Sequence, residues 1–157
     1  MANMKTLFHE TLIDSLNNVF TLMMKIEPKF GQWQEKADDK TLGDITGVIT
    51  VGGNGVQGSL AVSLSQSLIL ELTKRMLFVQ TDRIDETATD LAGEITNMVI
   101  GGAKSLVDDR GFRTDMSVPS MISGMRKSLQ HHINAPITYI PVETEIGPLW
   151  IETCFQE

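Results

Sequence analysis

Cys154 is the only cysteine among the 157 residues. Neither an intrachain disulfide framework nor a Cys-ligated zinc site can therefore form, and the composition suits a reducing compartment. Basic residues are also in the minority, with 13 Lys plus Arg against 20 Asp plus Glu and a net charge of -7. That balance argues against a broad basic face for nucleic acid or anionic lipid. Long apolar runs are missing as well. Val19 to Met24 falls far short of the roughly 20 residues that cross a bilayer. Met1 to Leu16 interrupts its apolar residues with His9, Glu10 and Asp14, where a secretory leader would be continuous. The expectation is a cytoplasmic protein with no membrane span. The hydrophobic fraction of 41% is ordinary. A chain of this size buries about 68 to 70% of its unfolded surface, so a single domain over residues 1–157 is expected.

Leu7, Leu12, Leu16, Phe20 and Met23 recur at helical spacing and predict a long first helix from Thr6 to about Lys25, stopped by Pro28. Phe30 to Asp39 reads as an edge strand or an extended loop. Asp44 to Val51 and Gly55 to Leu64 alternate as strands, and Gly52-Gly53-Asn54-Gly55 between them supplies the positive φ of a tight reversal. A second helix opens at Ser65. A third, long helix is predicted over about Asp85 to Asp109, with Gly111 as its stop. Phe112 to Met116 reads as a short strand ended by Pro119, followed by a polar stretch through Ser128 to Asn134. Ile137 to Thr144 and Leu149 to Phe155 then form a second hairpin. Helix followed by hairpin thus occurs twice. Asp14, Asn17 and Val19 are echoed by Glu94, Asn97 and Val99, which raises the idea of an internal duplication. The fold class is α/β of the α+β kind, with two long helices packed on a largely antiparallel sheet of hairpins.

The third helix carries the chemistry. At about 100° per residue, Asp90, Glu94, Asn97, Gly101, Lys104 and Asp108 fall within one narrow arc. Ala88, Leu91, Ile95, Met98, Val99, Gly102 and Leu106 occupy the adjoining arc, read as the core face. Most charged stripes are simply solvated faces. Here, however, Asn97 and Gly101 both lower helix stability, Gly by close to ~1 kcal/mol relative to Ala. A carboxylate and a carboxamide one turn apart, beside a bare backbone position, make a docking edge.

At these residues the sequence resembles the CheC, CheX and FliY family of chemotaxis phosphatases. The family motif is Asp or Ser, three residues, Glu, two residues, Asn, and a more distant Pro. This chain reads Asp90, Glu94, Asn97 and Pro119. The runs Gly93-Glu94-Ile95-Thr96-Asn97-Met98-Val99 and Gly101-Gly102-Ala103-Lys104 resemble the CheX branch in particular, which usually has Asn where Gly102 stands. The resemblance implies a CheC-like fold and hydrolysis of the aspartyl phosphate of a CheY-like receiver domain. It implies that Asn97 orients the attacking water and that Glu94 pairs with the receiver's Lys. Asp90, Gly101 and Lys104 are the expected partner-binding positions. The Mg²⁺ is expected to come with the receiver, the chain holding no cofactor of its own. Such a division of labour is coherent, because phosphoryl transfer needs positioning and charge neutralisation more than covalent help. A homodimer is also implied, and the apolar, Pro-free strand Leu149 to Phe155 would invite association if it lay at a free edge. A non-catalytic adaptor or flagellar-switch-like module of the same fold stays open as the alternative.

Other candidates are weaker. Gly52 to Gly55 lacks the Lys and following helix of a phosphate loop and reads as a turn. Adjacent His131 and His132 would point to opposite faces of a strand, which disfavours a metal site. Asp108, Asp109 and Asp115 read as solvated. No Gly-x-Ser-x-Gly elbow is present. The nine Met residues read as gap fillers or an adaptable surface. In Asp14 and Asn17, Asp replaces the Glu of the motif and is one methylene shorter, so the first helix is read as structural.

Overall fold

The computed structural model describes residues 3–156; Met1, Ala2 and Glu157, the ends of the expected 1–157 domain, lie outside them. Helix α1 (Met4–Asn18) is capped by Asn3, whose side chain accepts the Thr6 N–H at 2.8 Å. It runs on as a π-helical turn, Val19–Met23. That widening changes the expected face: Phe20 remains fully buried, but Met23 rotates outward to 56% exposure and Met24 takes its place in the core. The stretch read as strand or loop is both, with two-residue strands β1 (Lys29–Phe30) and β2 (Gln34–Glu35) on a looped path.

The first hairpin is β3 (Ile45–Gly53) with β4 (Val56–Leu64). Asn54 and Gly55 turn it at φ of 55° and 77°, the left-handed pair that a two-residue reversal demands. Helix α2 (Gln66–Leu77) follows, then α3 (Glu86–Asp108), whose cap Asp85 accepts the Ala88 N–H at 3.0 Å. Beyond Gly111 come β5 (Asp115–Met116) and β6 (Ser120–Ser123). The latter lies between Pro119 and the polar stretch, where no strand was expected. The chain ends in the hairpin β7 (Ile137–Glu143) and β8 (Leu149–Gln156).

All pairings in the sheet are antiparallel, in the order β1-β7-β8-β4-β3-β5, with β2 also on β7 and β6 also on β3. The two hairpins meet through β4 and β8 at the centre. Each hairpin's outer strand is flanked by the two short strands that precede the other hairpin. That reciprocal exchange gives the suspected internal duplication an architectural form. It also corrects one expectation: β8 is an interior strand, so its apolar sequence reflects burial and supplies no exposed edge for a partner. The true edges are the very short strands, a common way to blunt edge pairing.

One face of the sheet, carrying Ile45, Ile49, Leu60, Val62, Leu64, Ile151 and Phe155, packs with α1, α2 and α3 into the core. His9 of α1 stacks on Trp33 with centroids 3.8 Å apart and meets Thr153 Oγ1 at 2.8 Å. Burial, aided by the charge of Lys5, lowers its pKa to about 4, so it is a neutral, half-buried histidine at physiological pH. The opposite face is covered by residues 124–136 and holds a buried polar cluster that the sequence did not disclose. Glu152 of β8 forms an ion pair with Lys36 Nζ at 2.9 Å and a hydrogen bond with His131 Nε2 at 2.5 Å, while His131 Nδ1 meets Ser59 Oγ. His131 is not on a strand, so the expected opposite facing of His131 and His132 does not arise; His131 is buried and His132 exposed. A carboxylate can only accept, so Nε2 donates to Glu152 and the imidazole bridges Glu152 and Ser59. Lys36 and Glu152 have side chains only 3% exposed. Removing one member of such a pair strands the other charge. Lys36→Met is expected to cost about 3 kcal/mol in denaturant unfolding, and pairing it with Glu152→Gln should recover part of that loss.

Candidate functional site

Helix α3 lies between α1 and the β3 edge of the sheet. Its buried residues are Ala88, Leu91, Ala92, Gly93, Ile95, Thr96, Val99, Ile100, Ala103 and Val107. The core arc is thus rotated from the one expected, because β3, β5 and β6 cover the flank carrying Gly93 and Thr96. Met98, Gly102 and Leu106, assigned to the core from periodicity, are only half-buried. A Cβ on Gly47 of β3 would fall on the Thr96 side chain, and a Cβ on Gly102 would fall on Ser15 Oγ. The helix is therefore seated at contact distance on both supports. Ser15 fixes the second by donating its hydroxyl to the Val99 carbonyl at 2.7 Å.

The remaining face turns outward with the expected stripe. Asp90 and Glu94 are exposed and Asn97 is half-buried one turn on. Among the described residues none of the three makes a side-chain hydrogen bond or ion pair. Gly101 lies beside Met116, where a Cβ would sit 3.8 Å from the sulfur, an ordinary contact. Lys104 is engaged within the chain. Its Nζ pairs with Asp108 Oδ2 at 2.6 Å, while Asp108 Oδ1 accepts from the Thr114 N–H at 3.1 Å and the hydroxyl at 2.9 Å. Partial burial pushes the Asp108 pKa up, but the bonds from Lys104 and Thr114 outweigh it and hold the carboxyl below its usual value. Asp108 is thus a structural acceptor that closes the end of α3, not a solvated acid. Asp109 and Asp115 are exposed, as expected.

Pro119 completes the constellation, although it is remote in sequence. The β5–β6 connection runs along α3, with Met116 against Gly101, and Pro119 and Met121 against Gly93. The two anchor points are eight residues apart, about 12 Å of helix axis, and Glu94 and Asn97 lie between them. Asp14 and Asn17 are exposed on α1.

The description "Chemotaxis phosphatase CheX" belongs to the family model that matches residues 45–143. This chain is a member of the CheX family. A CheC-like superfamily protein from Shewanella sp. PV-4 is 37% identical, with a TM-score of 0.88 over 99% of this chain and 100% of that one. The CheY-P phosphatase CheX of Thermotoga maritima is 28% identical over 114 residues, which is 72% of this chain and 73% of the relative. CheX in the CheX-CheY-BeF3-Mg²⁺ complex of Borrelia burgdorferi shares the fold at a TM-score of 0.78 with 16% identity, covering 96% of this chain and 98% of that one.

No group of three or more His, Cys, Asp or Glu side chains among the described residues is arranged to hold a metal ion. No helix among them is long and apolar enough to cross a membrane. Ser59, His131 and Glu152 have the residue types of a hydrolytic triad, but Ser59 is 1% exposed and its hydroxyl is committed to the imidazole. That cluster binds the covering segment to the sheet.

The two adjacent glycines of α3 should respond oppositely to alanine. Gly101→Ala has room for its methyl and should raise stability by up to ~1 kcal/mol through helix propensity. Gly102→Ala forces Ser15 aside, disturbs its bond to Val99, and should lower stability. Thermal unfolding of the two variants checks both signs.

Proposed function

We propose that this CheX-family chain hydrolyses the aspartyl phosphate of a CheY-like receiver domain, using an active site completed only in the complex. The observation that carries the reading is the free pair on α3: exposed Glu94 and half-buried Asn97 stand one turn apart on a firmly seated helix, with no intramolecular partner among the described residues. The relatives support it, one being a CheY-P phosphatase and another a complex with CheY, BeF3 and Mg²⁺.

In this reading Asn97 enters the receiver's site and holds the attacking water through its carboxamide, as acceptor and donor, in line with the phosphorus. Glu94 pairs with the receiver's active-site Lys, an ion pair that loses its water on docking and so contributes more to fit than to long-range attraction. Mg²⁺ arrives with the receiver, bound to its carboxylates and the phosphoryl oxygens. Asp90 borders the same contact and Gly101 leaves it unobstructed. Lys104, already paired with Asp108, contributes at most through its exposed flank. The chain contributes position and the receiver contributes charge neutralisation. The homodimer implied by the resemblance would have to form through surfaces other than β8. Action on a receiver fits a cytoplasmic location and requires neither nucleic acid nor a membrane.

Asn97→Ala is the direct test. The fold should be retained, because Ala favours the helix. The acceleration of phosphate loss from a receiver should fall about 100-fold, as expected when a reacting water loses its orientation. A variant that binds and dephosphorylates as fast as the parent removes Asn97 from the mechanism. A parent protein that binds phosphorylated receivers without accelerating decay is an adaptor.

A further inference from the structure

Strands β5 and β6 form one broken edge along β3. Met116 pairs with Val51 and Ser120 with Val48. Three residues, Ser117, Val118 and Pro119, therefore span the distance that Thr50 and Ile49 cover on the partner strand. The extra residue is a β-bulge, a device that re-aims a side chain out of the regular pleat. Pro119 reinforces the break because it has no N–H to return to the ladder. The result is that Val118 stands 82% exposed. An apolar, β-branched side chain in that position adds nothing to the core.

The backbone is anchored on both sides of Val118. Its neighbour Ser117 donates its N–H to the Thr50 carbonyl at 2.9 Å and accepts the Thr50 N–H on its hydroxyl at 3.0 Å. Its other neighbour, Pro119, packs toward Gly93, the residue before Glu94. The bulge thus fixes one apolar side chain on the flank of the α3 segment that bears Glu94 and Asn97. Little conformational entropy would be lost on contact there, which favours such a residue as a binding anchor.

On the reading that α3 docks onto a phosphorylated receiver, we propose that Val118 is the apolar anchor of that docking surface, seated against the receiver beside its phosphorylation site. Val118 is a docking residue. It makes no contact with the reacting atoms, and its effect falls on affinity.

The test follows single-turnover decay of a CheY-type receiver, phosphorylated in Mg²⁺ by a small phosphodonor, at rising concentrations of this protein. That series gives the maximal rate and the half-saturating concentration separately. Val118→Asp should raise the half-saturating concentration about tenfold or more, the scale of a lost anchor, with the maximal rate held within about twofold. Val118→Ile should restore parental behaviour. The dissociation constant for the receiver loaded with beryllofluoride and Mg²⁺, by calorimetry, should rise in parallel, while the thermal midpoint of the variant stays at the parental value. If the parent accelerates decay and Val118→Asp leaves half-saturation unchanged, the anchor is overturned and the phosphatase reading stands. If Val118→Asp changes instead the mass of this protein in light scattering, Val118 serves contact between copies and the proposal fails. If the parent accelerates no receiver, both the reading and the anchor fail.

Discussion

Everything at the site depends on how closely α3 is seated. Gly47 brings β3 up to Thr96 on one side, and Gly102 brings α1 up to Ser15 on the other. The Ser15 hydroxyl then ties the two long helices together at the Val99 carbonyl. With both flanks in contact the helix cannot roll, so the arc bearing Asp90, Glu94 and Asn97 has one orientation. Side chains that must enter a partner's site need such a base, since a displacement of about 1 Å can cost 100-fold in rate. The helix termini add to this. Asp85 closes one end, and the Lys104–Asp108–Thr114 network closes the other.

The sheet explains why two supports are available. Two helix-and-hairpin units meet at β4 and β8, and each contributes short strands to the other's outer edge. One exchange lays β5 and β6 along β3, carrying Pro119 to the flank of α3. The other lays β1 and β2 along β7, bringing Lys36 to the buried carboxylate of Glu152. The same repeated connection therefore completes the outer site on one edge and anchors the covering segment on the opposite face of the sheet.

The elements with strong periodicity were legible without coordinates: both hairpins, the ends of α3 at Asp85 and Asp109, and the narrow stripe of Asp90, Glu94 and Asn97. What was lost had no local signal. Met23 was assigned to the buried face because a regular helix was assumed, and the π-helical turn displaced it. The core arc of α3 was set from hydrophobicity alone, although the sheet decides which flank is covered and puts Gly93 and Thr96 inside. Leu149 to Phe155 looked like an edge in need of a partner, yet a central strand buried on both faces has the same apolar composition. Ser59, Lys36, His131 and Glu152 come from four separate segments, so no spacing could join them.

The central claim is that α3 supplies half of an active site that a receiver completes. The most direct measurement is the side-chain amide resonance of Asn97 in isotope-labelled protein, recorded alone, with Mg²⁺, and with a CheY-type receiver carrying beryllofluoride and Mg²⁺. The account predicts no change with Mg²⁺ alone. It predicts a large shift and slowed solvent exchange with the loaded receiver, accompanied by shifts of backbone amides across residues 90–101. An unchanged Asn97 resonance with a bound receiver, or shifts confined to the opposite face of the sheet, would contradict it.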